Sequence, residues 1–376
     1  MPVLRESWRL DNGELFLSID RLIDGLSAGG LRLATHTGAA EADELAGLMS
    51  IKLAACRVPL GGAKAVAVPR LSADRQALLG EIATALAPHL RTRYVLGEDL
   101  GTTGADVVAI YQHIGLDPVR FVTEHNAARG IRLDVPDGLG LGDLMNDEFA
   151  GILAGSGAVQ ALAAALEARG EKPDGLRAAV QGFGTVGLAA ARALVESGVT
   201  VVTVADADGV LHDPVGLDVE ALAAARTTDG LVDRGALGSV PQRHDRDRWC
   251  ELPAEVLVPA AVARVIREDN VAAVTDQARY LVEGANAPVT DGAERELERR
   301  GVTVLPDFIA NAGSAVAFGL LIAGEATVAT VLETYVARIR QAVRGCLASA
   351  GSGPDGGSSR DRATAIAREF LDQHPS

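Results

Sequence analysis

The pattern of hydrophobic and polar positions divides the chain near residue 150. Before it, short strand-like runs mix with helical ones. In EADELAGLMSIKLAACRV (41–58) apolar side chains recur at three- and four-residue spacing, which predicts a helix. RYVLGED (93–99) is a short apolar run closed by acids and reads as a buried strand. Residues 121–147 carry many Gly and Asp and little periodicity, so a long irregular connection is expected there, of a kind that often serves function.

Beyond residue 150 the pattern becomes regular. GILAGSGAVQALAAALEARG (151–170) predicts a long Ala-rich helix stopped by Gly170. GLRAAVQGFG then reads as a strand entering a Gly-rich turn, TVGLAAARALVESG as a helix ended by Gly198, and VTVVTVADADG as a β-branched strand. AEVLVPAA, ARYLVEGAN and VTVLPDF are further short buried strands between helices. This alternation predicts a parallel sheet with helices on both faces. After NAGSAVAFG the chain returns to helices, GSGPDGGSS (351–359) reads as a flexible spacer, and RDRATAIAREFL as a last helix. No internal repeat is present.

Composition narrows the picture. A chain of 376 residues exceeds the usual single domain, so two are expected. Hydrophobic residues make up 48% but aromatics only 3%, so small aliphatics must fill the cores. The net charge of −15 argues against nucleic acid and anionic membrane surfaces as partners. Cys56, Cys250 and Cys346 are widely spaced and odd in number, which suits a reducing, cytoplasmic setting better than a disulfide framework. No cysteine pair has metal-ligand spacing, and no metal is expected. The N-terminal residues do not read as a signal peptide, and no run of about 18 uninterrupted apolar residues predicts a membrane span.

The strongest local signal is Gly182-Phe183-Gly184-Thr185-Val186-Gly187 between a predicted strand and a predicted helix. In G-x-G-x-x-G the first Gly permits the tight turn. The second admits a pyrophosphate to the backbone, and the third lets helix and strand pack closely. Asp206 ends the next strand about 20 residues on, where an acid accepts from ribose hydroxyls and repels a 2′-phosphate. NAD is therefore expected over NADP. Asp208 competes for the same role.

Three further residues carry candidate chemistry. Lys52 lies among apolar neighbours in the predicted 41–58 helix. Lys64 follows Gly61-Gly62-Ala63, and Asp99 closes a strand. Two lysines and a carboxylate together can hold a substrate carboxylate and move protons, because a buried lysine near a second cation has a lowered pKa. Taken singly, each lysine is equally consistent with a surface charge, and Asp99 with a cap or turn residue.

These motifs, in this order over roughly residues 27 to 325, resemble the glutamate/leucine/phenylalanine/valine dehydrogenases, NAD(P)-dependent enzymes that deaminate L-amino acids. The stretches that carry the likeness are AGGLRLATHTGAAEADELAGLMSIKLAACRVPLGGAKAVAV, RYVLGEDLGTTGAD, AAVQGFGTVG, LVPAAVARVI, LVEGANAPVT and LPDFIANAGSAV. The resemblance implies an α/β fold of two domains with the active cleft between them. Residues 151–319 would form a Rossmann-type doubly wound NAD-binding domain. Residues 1–150, completed by 320–376, would form an α/β catalytic and dimerisation domain. Position by position, it implies that Lys64 is the catalytic lysine, Asp99 the proton-transferring acid and Lys52 the grip on the α-carboxylate. Gly29 and Gly30 would lie at the substrate, Asn286 and Asn311 near substrate and nicotinamide, and Ala260 and Ala261 beside the cofactor.

The departures concern the substrate. The glutamate enzymes carry a lysine where Ala28 stands and a serine where Phe318 stands. A glutamate side-chain carboxylate buried against Ala and Phe costs several kcal/mol. Ala28, Gly97, Ala315 and Phe318 would instead surround an apolar or aromatic side chain. Ala154 replaces a family threonine, a role Ser156 can take over, and residues 121–147 do not match the family's segment. Only 28 residues precede Gly29-Gly30, so a homodimer is expected. An imine-reducing or other biosynthetic dehydrogenase acting on a modified amino acid, and a catalytically silent NAD-binding relative, are the alternatives. Retention of Lys52, Lys64 and Asp99 together argues against silence.

Overall fold

A computed structural model describes residues 2–136, 138–139, 147–238, 241–348 and 357–375. The chain forms two compact units. Unit 1 comprises Met1–Phe149, Ala315–Tyr335 and Ala367–Ser376; unit 2 comprises Ala150–Ser314 and Val336–Ile366.

Unit 1 is built on a five-stranded mixed sheet in the order β1-β2-β4-β3-β5, with β1 Leu4–Arg9, β2 Gly13–Ile19, β3 Ser27–Leu33, β4 Gly61–Pro69 and β5 Tyr94–Glu98. β3 runs parallel to both β4 and β5, whereas β2 is antiparallel to β1 and β4. Side chains alternate across a strand, so the two faces have different fates. One face buries Leu15, Leu31, Ala65 and Leu96 against Leu78 and Ile82 of α2 (Arg75–Leu90) and Val107 and Ile110 of α3 (Gly104–His113). Each large apolar side chain buried this way contributes about 2 kcal/mol. The opposite face carries Ala28, Gly30 and Arg32 on β3, Gly62 and Lys64 on β4, and Val95 and Gly97 on β5, with Asp99 just beyond. The expected 41–58 helix is α1, Ala39–Ala55. It lies against β4 where Gly62 has no side chain: a Cβ there would stand 2.2 Å from the Ser50 amide nitrogen.

The irregular connection begins later than its composition suggests. Residues 121–128 belong to α4 (Pro118–Ala128), whose start is fixed by Asp117 accepting from the Val119 and Arg120 amides and by Pro118 in its first turn. The irregular segment follows at 131–136; residues 137 and 140–146 lie outside the described residues.

Unit 2 holds a seven-stranded sheet in the order β12-β11-β10-β6-β7-β8-β9. The strands are β6 Arg177–Gln181, β7 Thr200–Asp206, β8 Gly209–His212, β9 Gln242–His244, β10 Val256–Pro259, β11 Tyr280–Val282 and β12 Thr303–Leu305. The five strands read from the sequence are parallel, as expected. β8 and β9 differ: they turn back antiparallel at one edge, because the Asp206–Gly209 turn reverses the chain before a crossover helix can form. The order reverses between β6 and β10, which makes their carboxyl ends the switch point where ligands bind in such sheets. The long helix α5, Asp147–Arg169, is long and apolar enough from Gly151 onward to cross a membrane, but 67% of that stretch is buried inside the fold.

The C-terminal segment divides differently from the expected 320–376. Only 315–335 and 367–376 complete unit 1. Residues 336–366 pack with unit 2, where Arg340 and Arg344 both pair with Glu167 at 2.9 Å. The predicted spacer falls mostly outside the described residues; the last helix starts at Ser359 and runs to Gln373.

Candidate active site

The face of the first sheet on which α1 packs brings Lys64 and Asp99 together. They are not on adjacent strands: β3 lies between β4 and β5, and strands are spaced by about 4.8 Å. The gap is bridged because β3 presents Gly30 there. A Cβ on Gly30 would lie 2.9 Å from the Asp99 Cβ, so its absence lets the carboxylate lean across the strand. Lys64 Nζ then meets Asp99 Oδ2 at 2.8 Å. The same oxygen accepts from Arg32 Nε at 2.9 Å, and Arg32 Nη1 pairs with Glu41 on α1 at 2.5 Å. Glu41 also accepts from the Thr37 hydroxyl. The Asp99 amide donates to Thr102 Oγ1 at 3.0 Å, which fixes the turn.

The electrostatics assign the protons. Burial lowers the Lys64 ammonium pKa; Asp99 opposes that shift, and Arg32 adds to it. Burial alone would raise the Asp99 carboxyl, but Lys64 and Arg32 outweigh it and hold it at about 2. Asp99 is thus an ionised carboxylate at neutral pH, and burial makes the Lys64 proton easier to remove than that of an exposed lysine.

Of the other residues expected at the site in unit 1, Phe318 lines an apolar cavity, whereas Ala28, Gly97 and Ala315 are not in its lining. Lys52 is half-buried on α1, two residues beyond Ser50, whose Oγ accepts from the Gly62 amide at 3.1 Å. Gly29 is a packing residue: a Cβ there would stand 1.7 Å from the Ala63 carbonyl. Gly97 differs, since a Cβ added to it meets nothing within 4 Å. The space over Gly97 is flanked by Asp99 on one side and Val95 on the other. Ala28 pairs with Val95 across the ladder and is buried. Val95 and Phe318 line an apolar cavity of about 100 Å³ with Val119 and Val122 of α4 and Leu321 and Ile322 of α10 (Gly313–Ala323). Its only charged lining residue among those described is Asp134. Ala315 begins the part of α10 that belongs to unit 1 and is half-buried.

In unit 2 the glycine-rich turn has the geometry its spacing implies. Gly182 takes φ +96°, and a Cβ there would stand 2.7 Å from the Ala261 Cβ. Gly187 packs 2.0 Å (as a virtual Cβ) from the Gly182 carbonyl, and the same test at Gly184 finds open space. A dinucleotide pyrophosphate fits here: Gly184 is the unobstructed approach, and α6 (Thr185–Glu196) points its N-terminal amides at it. Thr185 is exposed and Val186 half-buried, whereas the Phe183 side chain is buried in the core and only its backbone belongs to the turn. Ala260 and Ala261 lie at the switch point, their amides donating to Gln181 O and Oε1 at 2.7 and 3.2 Å. Asn311 Nδ2 donates to Asn286 Oδ1 at 3.0 Å, which joins two of the expected site residues. Ala154 is buried, and Ser156 Oγ turns back to the Leu153 carbonyl at 3.2 Å.

Asp206 is engaged more fully than its expected role requires. Both oxygens meet Arg234 at 2.5 Å and also accept the Val232 and Asp208 amides at 2.9 Å. Ribose hydroxyls must displace one of these partners or bind the neighbouring exposed Asp208. Arg32, Val95 and Arg234 were not singled out from the sequence. Arg32 had a usable signal, since residues 28, 30 and 32 share one face of a strand; Arg234 comes from an irregular segment and had none.

The sequence matches the family model of the Glutamate/Leucine/Phenylalanine/Valine dehydrogenases over residues 151–351 and that of the Glu/Leu/Phe/Val dehydrogenase dimerisation domain over residues 20–115. It is 33% identical over 298 residues to a glutamate dehydrogenase of Thermotoga maritima, covering 77% of this chain and 67% of the relative. It is 39% identical over 143 residues to one of Aeropyrum pernix, covering 38% of this chain and only 33% of that protein. Among solved structures it resembles the hetero-hexameric glutamate dehydrogenase of Thermus thermophilus in a Leu-bound form, at TM-score 0.75 and 26% identity over 99% of this chain and 89% of that one. The L-tryptophan dehydrogenase of Nostoc punctiforme shares the fold at TM-score 0.69 and 18% identity, over 99% and 96%.

Proposed function

Because the chain belongs to the glutamate/leucine/phenylalanine/valine dehydrogenase family, we propose that it is an NAD-dependent dehydrogenase of an L-amino acid with an apolar or aromatic side chain. The reaction converts amino acid, NAD⁺ and water into the 2-oxo acid, ammonium, NADH and a proton, and runs in reverse as reductive amination. The observation that carries this reading is the sheet face on which Val95, Gly97 and Asp99 follow one another, with Lys64 paired to Asp99.

An amino acid seated over Gly97 has its α-carbon beside Lys64 and its side chain directed at Val95 and Phe318. Lys52 takes the α-carboxylate. Lys64 removes a proton from the ammonium group and later from the water that attacks the substrate imine, with Asp99 as its countercharge and relay. NAD, held at the 182–187 turn, supplies the hydride acceptor. Glutamate suits this cavity poorly: a second carboxylate seated among its apolar side chains would find no cation in the described lining, whose one charged residue is the acid Asp134, at a cost of several kcal/mol. Residues 20–115 match the dimerisation-domain model and support assembly as a homodimer, which light scattering on the purified protein checks.

The test is NADH formation with L-leucine, L-phenylalanine and L-tryptophan, together with ammonium release. Lys64→Ala should lower turnover by at least ~10²-fold, the usual scale of general acid–base catalysis, with NAD affinity retained. Turnover by that variant within a few-fold of the parent would remove Lys64 from the chemistry. No reduction of NAD by any apolar substrate would remove the reading as a whole.

A further inference from the structure

A second charged cluster lies in unit 2. Arg360 is the second residue of the terminal helix, and its guanidinium meets three carboxylates. Nε reaches Glu294 Oε2 at 2.9 Å, Nη1 reaches Asp307 Oδ1 at 2.8 Å and Nη2 reaches Glu283 Oε2 at 2.5 Å. The guanidinium also stands 5.6 Å from the Phe308 ring centroid. Glu283 is fully buried, and Glu294 nearly so. As a stabilising device this is a poor choice, because three acids share one cation and buried charge is costly to desolvate. Burial pushes the Glu283 carboxyl well above its ordinary range despite Arg360.

The geometry gives the cluster another use. Glu283 Oε2 also accepts the Asp307 amide at 2.8 Å, and Asp307 Oδ2 accepts the Ala287 amide at 2.9 Å. Ala287 has φ +44°, a left-handed conformation that a non-glycine residue keeps only when its surroundings hold it. Asn286 precedes that turn. Asn311 caps the short helix α9 (Asp307–Ala310) that Asp307 begins, and its amide donates to the Asp307 carbonyl at 2.8 Å. Arg360 thus grips the one residue, Asp307, from which both asparagines are placed.

We propose that Arg360 is a positioning residue that fixes the Asn286–Asn311 pair through Asp307 and Glu283, and so orients the nicotinamide in the reaction proposed above, on which this inference rests. An arginine is required because only a planar fork meets three carboxylates at once; a lysine presents a single point charge.

The test compares Arg360→Lys, which keeps the charge, with Glu294→Gln, which cuts the arm of the cluster that does not reach Asp307. Arg360→Lys should lower kcat at least tenfold with the Kd for NAD within twofold of the parent, and its crystal structure should lack the 3.0 Å Asn286–Asn311 hydrogen bond. Glu294→Gln should lower the melting temperature and leave kcat and KM unchanged. If Arg360→Lys fails to fold, Asp307→Asn carries the same expectations one link later. Parental kcat with the asparagine pair intact in Arg360→Lys would overturn the inference. Should the parent turn over no L-amino acid, the functional reading fails separately, and the crystal structure of the variant still decides whether Arg360 holds the pair.

Discussion

Replacing Asp99 by Asn tests the proton assignment at the site. The carboxyl is held at about 2 against an ordinary 3.8, and its side chain is only 18% exposed. At about 1.4 kcal/mol per pH unit the ionised form is favoured by roughly 2 kcal/mol in the folded state. The folded-state value is depressed, so this stability is fully present above the unfolded value near 4 and disappears as pH falls through about 2. Asp99→Asn should therefore be less stable than the parent by up to about 2 kcal/mol at pH 7. Lys64 limits the loss, since without its countercharge it can shed its proton. The difference should close as pH falls from about 4 to about 2. Urea titrations read by Trp8 fluorescence, with Trp249 replaced by Phe in both proteins, report on unit 1 alone. A stability difference that stays constant from pH 7 to pH 2.5 would refute the claim that Asp99 rests ionised against Lys64 and Arg32.

Three further outcomes follow from the same geometry. If Lys64 must be neutral to act, kcat/KM for deamination rises with pH through its pKa. Asp99→Asn should move that limb to lower pH and Arg32→Met to higher pH, because Asp99 raises and Arg32 lowers the Lys64 value; shifts in one common direction would contradict the electrostatic account. Gly187→Ala places a Cβ 2.0 Å from the Gly182 carbonyl, so calorimetric titration should show NAD binding weakened at least tenfold, and unaltered affinity would show the turn is not used. Asp206→Asn strands the Arg234 guanidinium, which is 14% exposed, and should cost about 3 kcal/mol of stability in unit 2. Asp208→Asn, at an exposed position, should cost under ~0.5 kcal/mol, and equal losses from the two would be evidence against the Asp206–Arg234 clamp.

The parts of this molecule that depend on local sequence were readable from it. The glycine turn at 182–187 needs only a strand before it and a helix after it, and both have clear periodicity. The Lys64–Asp99 pair was readable only as a resemblance, because it depends on β3 entering between β4 and β5 and on Gly30 leaving room above it. Periodicity carries no information on strand order. The edge strands β8 and β9 and helix α4 were missed because short elements give too few repeats, although Asp117-Pro118 is a recognisable helix start. Arg234 and Arg360 act across 28 and 53 residues of sequence on Asp206 and Asp307, distances at which no spacing rule applies.

We propose that the Lys64–Asp99 pair oxidises apolar amino acids. The most direct test is the ratio of kcat/KM for L-leucine, L-phenylalanine or L-tryptophan to that for L-glutamate, with NAD as acceptor. At least one ratio should lie well above ~10², from the several kcal/mol needed to bury an unpaired carboxylate. L-glutamate as the best of the four substrates would contradict it.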